Sequence, residues 1–150
     1  AATAYLDQAP LGGMEPRISL VTLGVADVER SRAFYRALGL PEGEWESDDA
    51  AFFTTEGTWL ALYRRDLLDE EVQEDPGSGE APRSGYGGFT LAHNVESDES
   101  VDAVLDEAAD AGAEIVQEGI DRDWGGYSGY FSDPDGHRWE VAWNPHFEIG

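Results

Sequence analysis

The sequence predicts an α+β chain built from two βαβββ modules. The turn and apolar patterns run strand, helix, three short strands, and the same order recurs after an acidic stretch rich in Pro, Gly and Ser. Short blocks also match between the halves. Val21-Thr22-Leu23 aligns with Phe89-Thr90-Leu91, 68 positions on, and Ala51-Phe52-Phe53…Leu60-Ala61-Leu62 echoes Gly129-Tyr130-Phe131…Trp139-Glu140-Val141. A lone βαβββ unit leaves one sheet face bare, so a duplicated unit is the physically economical reading.

Residues 1–16 are small, polar and punctuated by Gly and Pro, and read as a flexible extension with Met14 as a possible start. The first module spans 17–64. Ile18–Val25 has the β-rich apolar bias of a strand. Asp27 is placed to cap a helix in which Val28, Ala33, Phe34, Ala37 and Leu38 recur at helical spacing, and Gly39 stands where a left-handed cap belongs. Gly43–Glu46, Ala50–Thr54 and Thr58–Tyr63 read as short strands, the last two joined by a Glu56-Gly57 turn. Residues 65–85 form the acidic connector, and 86–145 the second module. There Tyr86–Val95 reads as a strand, Ser97 caps a helix closing at Gly112, and strands follow at Ala113–Ile120, Tyr127–Phe131 and Arg138–Trp143. The turn Ser132-Asp133-Pro134-Asp135-Gly136 is a strong hairpin signal. Residues 146–150 are a tail. The expectation is eight strands and two main helices.

At 150 residues with 41% hydrophobic content, the chain can bury a real core. Cysteine is absent, which excludes disulfides, thiolate metal sites and a cysteine nucleophile. Nine Arg, no Lys and 32 Asp+Glu give a formal charge of −23. Nucleic-acid binders gain affinity by neutralising phosphates with basic side chains, so nucleic acid and anionic membrane are poor partners. No apolar run reaches the length of a membrane span and no signal peptide is evident, so a cytoplasmic protein is expected. Excess carboxylate without lysine is also the composition of a halophilic protein, kept soluble where salt screens self-repulsion; GC-rich coding bias is the competing explanation.

The runs VTLGVADVERSRAFYRALGL and GYFSDPDGHRWEVAWNP, in that order, resemble the vicinal-oxygen-chelate superfamily, which covers glyoxalase I, bleomycin-resistance proteins and extradiol dioxygenases. The resemblance covers roughly Arg17 to Pro145. It implies two modules rolled into a pseudo-symmetric pair of half-barrels around a small-molecule pocket, and a homodimer. It also implies four metal-ligand positions, on the first and last strands of each half. These fall on Leu20, Ala61, Thr90 and Glu140, of which only Glu140 keeps a ligand residue. A divalent transition metal needs three or four N/O donors, so no metal and no cofactor are expected here.

Glu140, as a carboxylate in a partly apolar pocket, is the candidate acid-base group, with ancestral leftover as the bland alternative. His93 is a second candidate near the pocket mouth, weighed against a structural role. Thr90, Trp124 and Tyr127 are candidate ligand contacts, because aromatics beside a carboxylate suit planar or cationic molecules. Ordinary packing competes, with Trp139 and Trp143 read on one strand face and Val141 on the other. His137, after the turn glycine, reads as solvated. Three functions remain open: a metal-free binder of, or enzyme on, a small organic molecule; a metal-dependent lyase, isomerase or dioxygenase; and a dimer with a vestigial pocket.

Overall fold

The computed structural model describes residues 14, 16–44, 47–72, 87 and 89–146. The expected N-terminal extension, most of the connector beyond Val72, the start of the strand expected at Tyr86 and the end of the tail lie outside the described residues.

The elements are β1 (Leu20–Val25), α1 (Val28–Ala37), β2 (Ala50–Phe53), β3 (Trp59–Arg64), α2 (Arg65–Val72), β4 (Leu91–Asn94), α3 (Asp98–Ala111), β5 (Glu114–Asp121), β6 (Tyr127–Ser132) and β7 (Arg138–Trp143). They form a three-stranded sheet of order β1-β3-β2 and a four-stranded sheet of order β4-β7-β6-β5. The described residues thus hold seven strands, not eight. Of the strand expected at Gly43–Glu46, Trp45 and Glu46 lie outside the described residues, and just before it Glu42 makes an isolated antiparallel bridge to Phe53. The opening of the expected connector is helix α2, an element hidden because its register is carried by only a few apolar residues among acids. No helix among the described residues is long and apolar enough to cross a membrane.

Local chemistry sets the helix ends as expected. Asp27 Oδ1 accepts the Arg30 N–H at 3.1 Å, and Ser97 Oγ accepts the Ser100 N–H at 3.1 Å, each satisfying a donor with no intrahelical partner. Gly112, at φ +115°, closes α3 by donating to the Ala108 and Ala109 carbonyls, a conformation that penalises any residue with a Cβ.

The internal repeat is built into the ladders. Parallel β1 and β3 pair Thr22 with Ala61, and parallel β4 and β7 pair Ala92 with Glu140. Relative to the last strands, the first strands are therefore offset by 70 residues, the same separation as the capping residues Asp27 and Ser97. The block match at 68 was two residues out of register, which period-two patterning alone does not detect.

One core serves both modules. Leu23, Val25, Phe53 and Leu62 from the first sheet join Val101, Leu105, Phe131 and Val141 from the second module. Phe34 and Tyr35 of α1 bridge them, with ring centroids 6.4 Å from Phe131 and 6.2 Å from Trp139. Trp139, Val141 and Trp143 all belong to this core side, which corrects the reading that opposed Val141 to the tryptophans. Residues two and four apart on a strand share a face.

The β6–β7 turn locks the modules together. Asp133 Oδ1 accepts the N–H groups of Asp135 and His137 at 2.9 Å, and its Oδ2 accepts the Tyr35 hydroxyl at 2.7 Å. Asp135 reaches the start of α1, accepting from Ala26 N–H at 2.9 Å, Arg30 Nη2 at 3.0 Å and Ser31 Oγ at 2.9 Å. A carboxylate there also complements the positive end of the helix dipole. His137 is not a solvated hairpin residue. Its Nε2 lies 2.8 Å from the Gly24 carbonyl oxygen, so that nitrogen carries the proton.

Candidate functional site

Each sheet packs one face into the shared core; the opposite face is open, except where α2 lies over Gly24 at the end of β1. In the first sheet, Leu20, Thr22, Trp59, Ala61, Tyr63 and Phe52 share the open face by register. It is almost wholly apolar: Leu20 is 40% and Trp59 44% exposed, while Ala61 is buried.

The second sheet presents different chemistry. Register aligns Ala92, Glu140, Tyr130 and Gln117 in one row across β4, β7, β6 and β5. Tyr130 Oη donates to Glu140 Oε2 at 3.3 Å. The Arg122 guanidinium carbon sits 5.9 Å from the centre of the Tyr130 ring, a cation-π contact. Arg122 Nε donates to Ser128 Oγ at 2.7 Å and Nη2 to the Ser128 carbonyl at 3.1 Å; Gln117 Oε1 takes a further bond from Nη2. A polar chain of Arg122, Tyr130 and Glu140 therefore crosses this face, with the half-buried Glu140 carboxylate as its acceptor end.

The sequence-predicted residues divide by face. Thr90, just before β4, lies two residues from Ala92 and so on the Glu140 side. His93 is in register with Val141, hence on the opposite side from Glu140, and is exposed. Tyr127 is also on the opposite side: it pairs with Trp143, and its hydroxyl donates to Asp102 of α3 at 2.8 Å. That bond, more than burial, raises the Tyr127 pKa. Trp124 stands in the β5–β6 turn against Gly126, where a Cβ would fall 1.9 Å from its ring, and is 43% exposed. The structure therefore does not gather Trp124, Tyr127, His93 and Glu140 into one mouth, because Tyr127 and His93 each count an odd number of residues from the Glu140 row.

Tyr130 and Arg122 were missed. A hairpin turn at Asp133–Gly136 already implies that Tyr130 faces Glu140 across β6 and β7, so the first was recoverable by counting. Arg122 was not, because register shifts interrupt β5 between Ile115, Gln117 and Ile120.

Of the four metal-ligand positions, Leu20 and Ala61 lie in the first ladder and Glu140 in the second, and Thr90 stands one residue before β4. Leu20 and Ala61 share the first open face, and Thr90 and Glu140 the second. Their donor set is one carboxylate and one hydroxyl, too small for a divalent transition ion. No group of three or more His, Asp or Glu able to hold a metal occurs among the described residues.

Comparison with known proteins agrees with this architecture. Residues 17–141 match the family model of the Glyoxalase/Bleomycin resistance protein/Dioxygenase superfamily. The chain is 32% identical over 128 residues to the metallothiol transferase FosB of Shouchella clausii (strain KSM-K16), covering 83% of this chain and 77% of that protein. A glyoxalase-related enzyme from Fulvimarina pelagi superposes with a TM-score of 0.79 at 32% identity, covering 91% of this chain and 94% of that one. Lactoylglutathione lyase from Agrobacterium tumefaciens shares the fold, with a TM-score of 0.66 at 20% identity, over 90% and 100% of the two chains.

Proposed function

The chain belongs to the glyoxalase/bleomycin resistance protein/dioxygenase superfamily, and from that premise we propose that it is a metal-free member. It binds, or acts on, a small organic molecule at the open face of the second sheet. One observation carries the proposal: among the four metal-ligand positions only Glu140 has a carboxylate, and that carboxylate is held by Tyr130 rather than by a set of metal donors. Glu140 is the recognition or proton-accepting group, Tyr130 fixes it, and Arg122 orients the Tyr130 ring. Thr90 stands on the same face as a hydrogen-bonding contact. A carboxylate beside an aromatic ring favours neutral or cationic, partly planar molecules over phosphorylated ones, and the charge of −23 reinforces that preference. A second copy of the chain, laid against the open faces, completes the pocket; the exposed Ile18, Leu20 and Trp59 supply apolar area for it.

A second reading is metal-dependent thiol transfer, favoured by the identity to FosB. Elemental analysis of the purified protein separates the two, since one tightly held ion per chain removes the metal-free reading. The ligand class is tested by tryptophan fluorescence during titration with cationic and anionic aromatic panels, on the wild type and Glu140→Gln, after sedimentation has fixed the oligomeric state. Preferential binding of the cationic panel, weakened by Glu140→Gln, is expected. Preference for the anionic panel, or indifference to the substitution, overturns the proposal, and a monomer at micromolar concentration removes the second copy.

A further inference from the structure

Two opposite charges on the open face of the second sheet are kept apart by one aromatic ring. The Arg122 guanidinium carbon lies 5.9 Å from the Tyr130 ring centre, and the Tyr130 hydroxyl donates to Glu140 Oε2 at 3.3 Å. Arg122 is fixed by neutral acceptors alone. Its Nε donates to Ser128 Oγ at 2.7 Å, and its Nη2 to the Ser128 carbonyl at 3.1 Å and to Gln117 Oε1. Ser128 is fully buried, so the guanidinium is anchored to the sheet itself. These bonds use Nε and both donors of Nη2, and among the described residues none uses Nη1.

Such an arginine stands out in this chain. Acidic residues outnumber arginines 32 to 9, and Arg30, Arg32, Arg36, Arg64 and Arg65 each hold a carboxylate. Among the described residues neither Arg122 nor Glu140 forms an ion pair. Arg138, two residues from Glu140 on the same strand face, is placed differently. It donates to the Gly136 carbonyl at 3.0 Å and lines a seam with Arg65, Asp69 and Asp135, where the charges sum to zero. Arg122 and Glu140 also sum to zero, but with the Tyr130 ring between them neither charge answers the other.

Taking the Glu140 face as the ligand site, we propose that its ligand is a zwitterion. The ammonium sits on Glu140, the carboxylate takes the Nη1 donors of Arg122, and a planar body lies beside the Tyr130 ring. Such a molecule is neutral overall, and each of its charges meets a fixed partner of opposite sign. A simple cation would leave Arg122 without a counter-charge. A simple anion would leave Glu140 without one and would meet the field of a chain at −23.

Phenylalanine, phenethylamine and 3-phenylpropanoate share one body and differ only in their charged groups. They are titrated by calorimetry into the wild type, Arg122→Gln, Glu140→Gln and Arg138→Gln in molar KCl, where a Debye length of about 3 Å screens the field of the whole chain. Phenylalanine is expected to bind the wild type about tenfold more tightly than phenethylamine, with 3-phenylpropanoate the weakest. Arg122→Gln should remove that margin by weakening phenylalanine alone. Glu140→Gln should weaken phenylalanine and phenethylamine together, and Arg138→Gln neither. The wild-type margin needs no variant, so it decides even where Arg122→Gln melts lower. Phenethylamine that binds as tightly as phenylalanine, and still responds to Glu140→Gln, overturns the zwitterion and leaves Glu140 as the recognition group for a cation. Equal weakening of both by Arg122→Gln overturns it as well, since Arg122 then acts only by orienting Tyr130. A margin lost in Arg138→Gln instead overturns the assignment to Arg122. Failure of all three to bind, or indifference to Glu140→Gln, removes the zwitterion together with the Glu140 site.

Discussion

The first module turns from β2 to β3 through Glu56-Gly57, an exposed corner; the second turns from β6 to β7 through Asp133–His137, which reaches across to the other module. The open faces differ in the same direction. One carries Leu20, Trp59 and Ala61, the other Arg122, Tyr130 and Glu140. The duplicated ladder thus fixes where side chains stand and leaves what they are free to diverge. Polar, directional chemistry has accumulated in the second module, and the first contributes a helix for it to lock onto.

The sharpest way to break that comparison is to truncate both turns. Asp133→Ala strands the Tyr35 hydroxyl and two turn N–H groups in a site where Asp133 itself is only 3% exposed. The expected loss is about 3–5 kcal/mol, measured by urea denaturation, because several buried partners lose their bonds at once. Glu56→Ala, at the matching exposed turn, should stay within about 0.5 kcal/mol. Equal losses would mean that the two turns do the same work.

Tyr35→Phe removes the α1 side of the lock alone. It deletes the bond to Asp133 and the acceptor of Trp139 Nε1–H at 3.1 Å, and should cost about 1–3 kcal/mol. It also predicts a pH signature. Burial first, and then the Asp133 charge, raise the Tyr35 pKa well above its ordinary value. The unfolded state therefore releases this proton first, near pH 10, and the stabilisation is whole below that pH. It is lost as pH rises from there toward the folded-state value. Comparing wild type and Tyr35→Phe by denaturation at neutral and alkaline pH isolates the effect: the gap between them should narrow above about pH 10. A gap that stays constant would place Tyr35 outside the lock.

Much of this was legible in the sequence, and the failures have physical causes. The modules, both helix caps and the Asp133–Gly136 turn follow from short-range rules, because capping and turn chemistry depend on residues three or four apart. Ala61 and Glu140 pair with Thr22 and Ala92, the 70-residue offset that the caps Asp27 and Ser97 also show. The role of His137 was not legible, since its partner Gly24 is more than a hundred residues away and no periodicity links them. Face assignment failed at Tyr127 by parity, where counting from Glu140 through the turn would have succeeded. Helix α2 was concealed by acidic composition that resembles a linker.

The smallest effect separates local pairing from the field of the whole chain. Arg30 bonds Asp135 at 3.0 Å with its side chain 48% exposed, so solvent screening limits the pair to about 0.2–1 kcal/mol. Arg30→Gln should lose that amount in 0.1 M KCl and less in molar KCl, where the Debye length contracts from about 10 Å to about 3 Å. The intact chain should behave in the opposite way. At −23, its carboxylates repel one another, and salt that weakens the Arg30–Asp135 attraction relieves that repulsion, so the melting temperature rises with KCl. The two trends have opposite signs and come from one pair of melting curves per salt concentration. A wild-type melting temperature that is flat between the two salts would assign the missing lysines to coding bias rather than to salt adaptation. A difference between wild type and Arg30→Gln that grows with salt would show that Arg30 acts on the turn through packing of its stem and not through its charge.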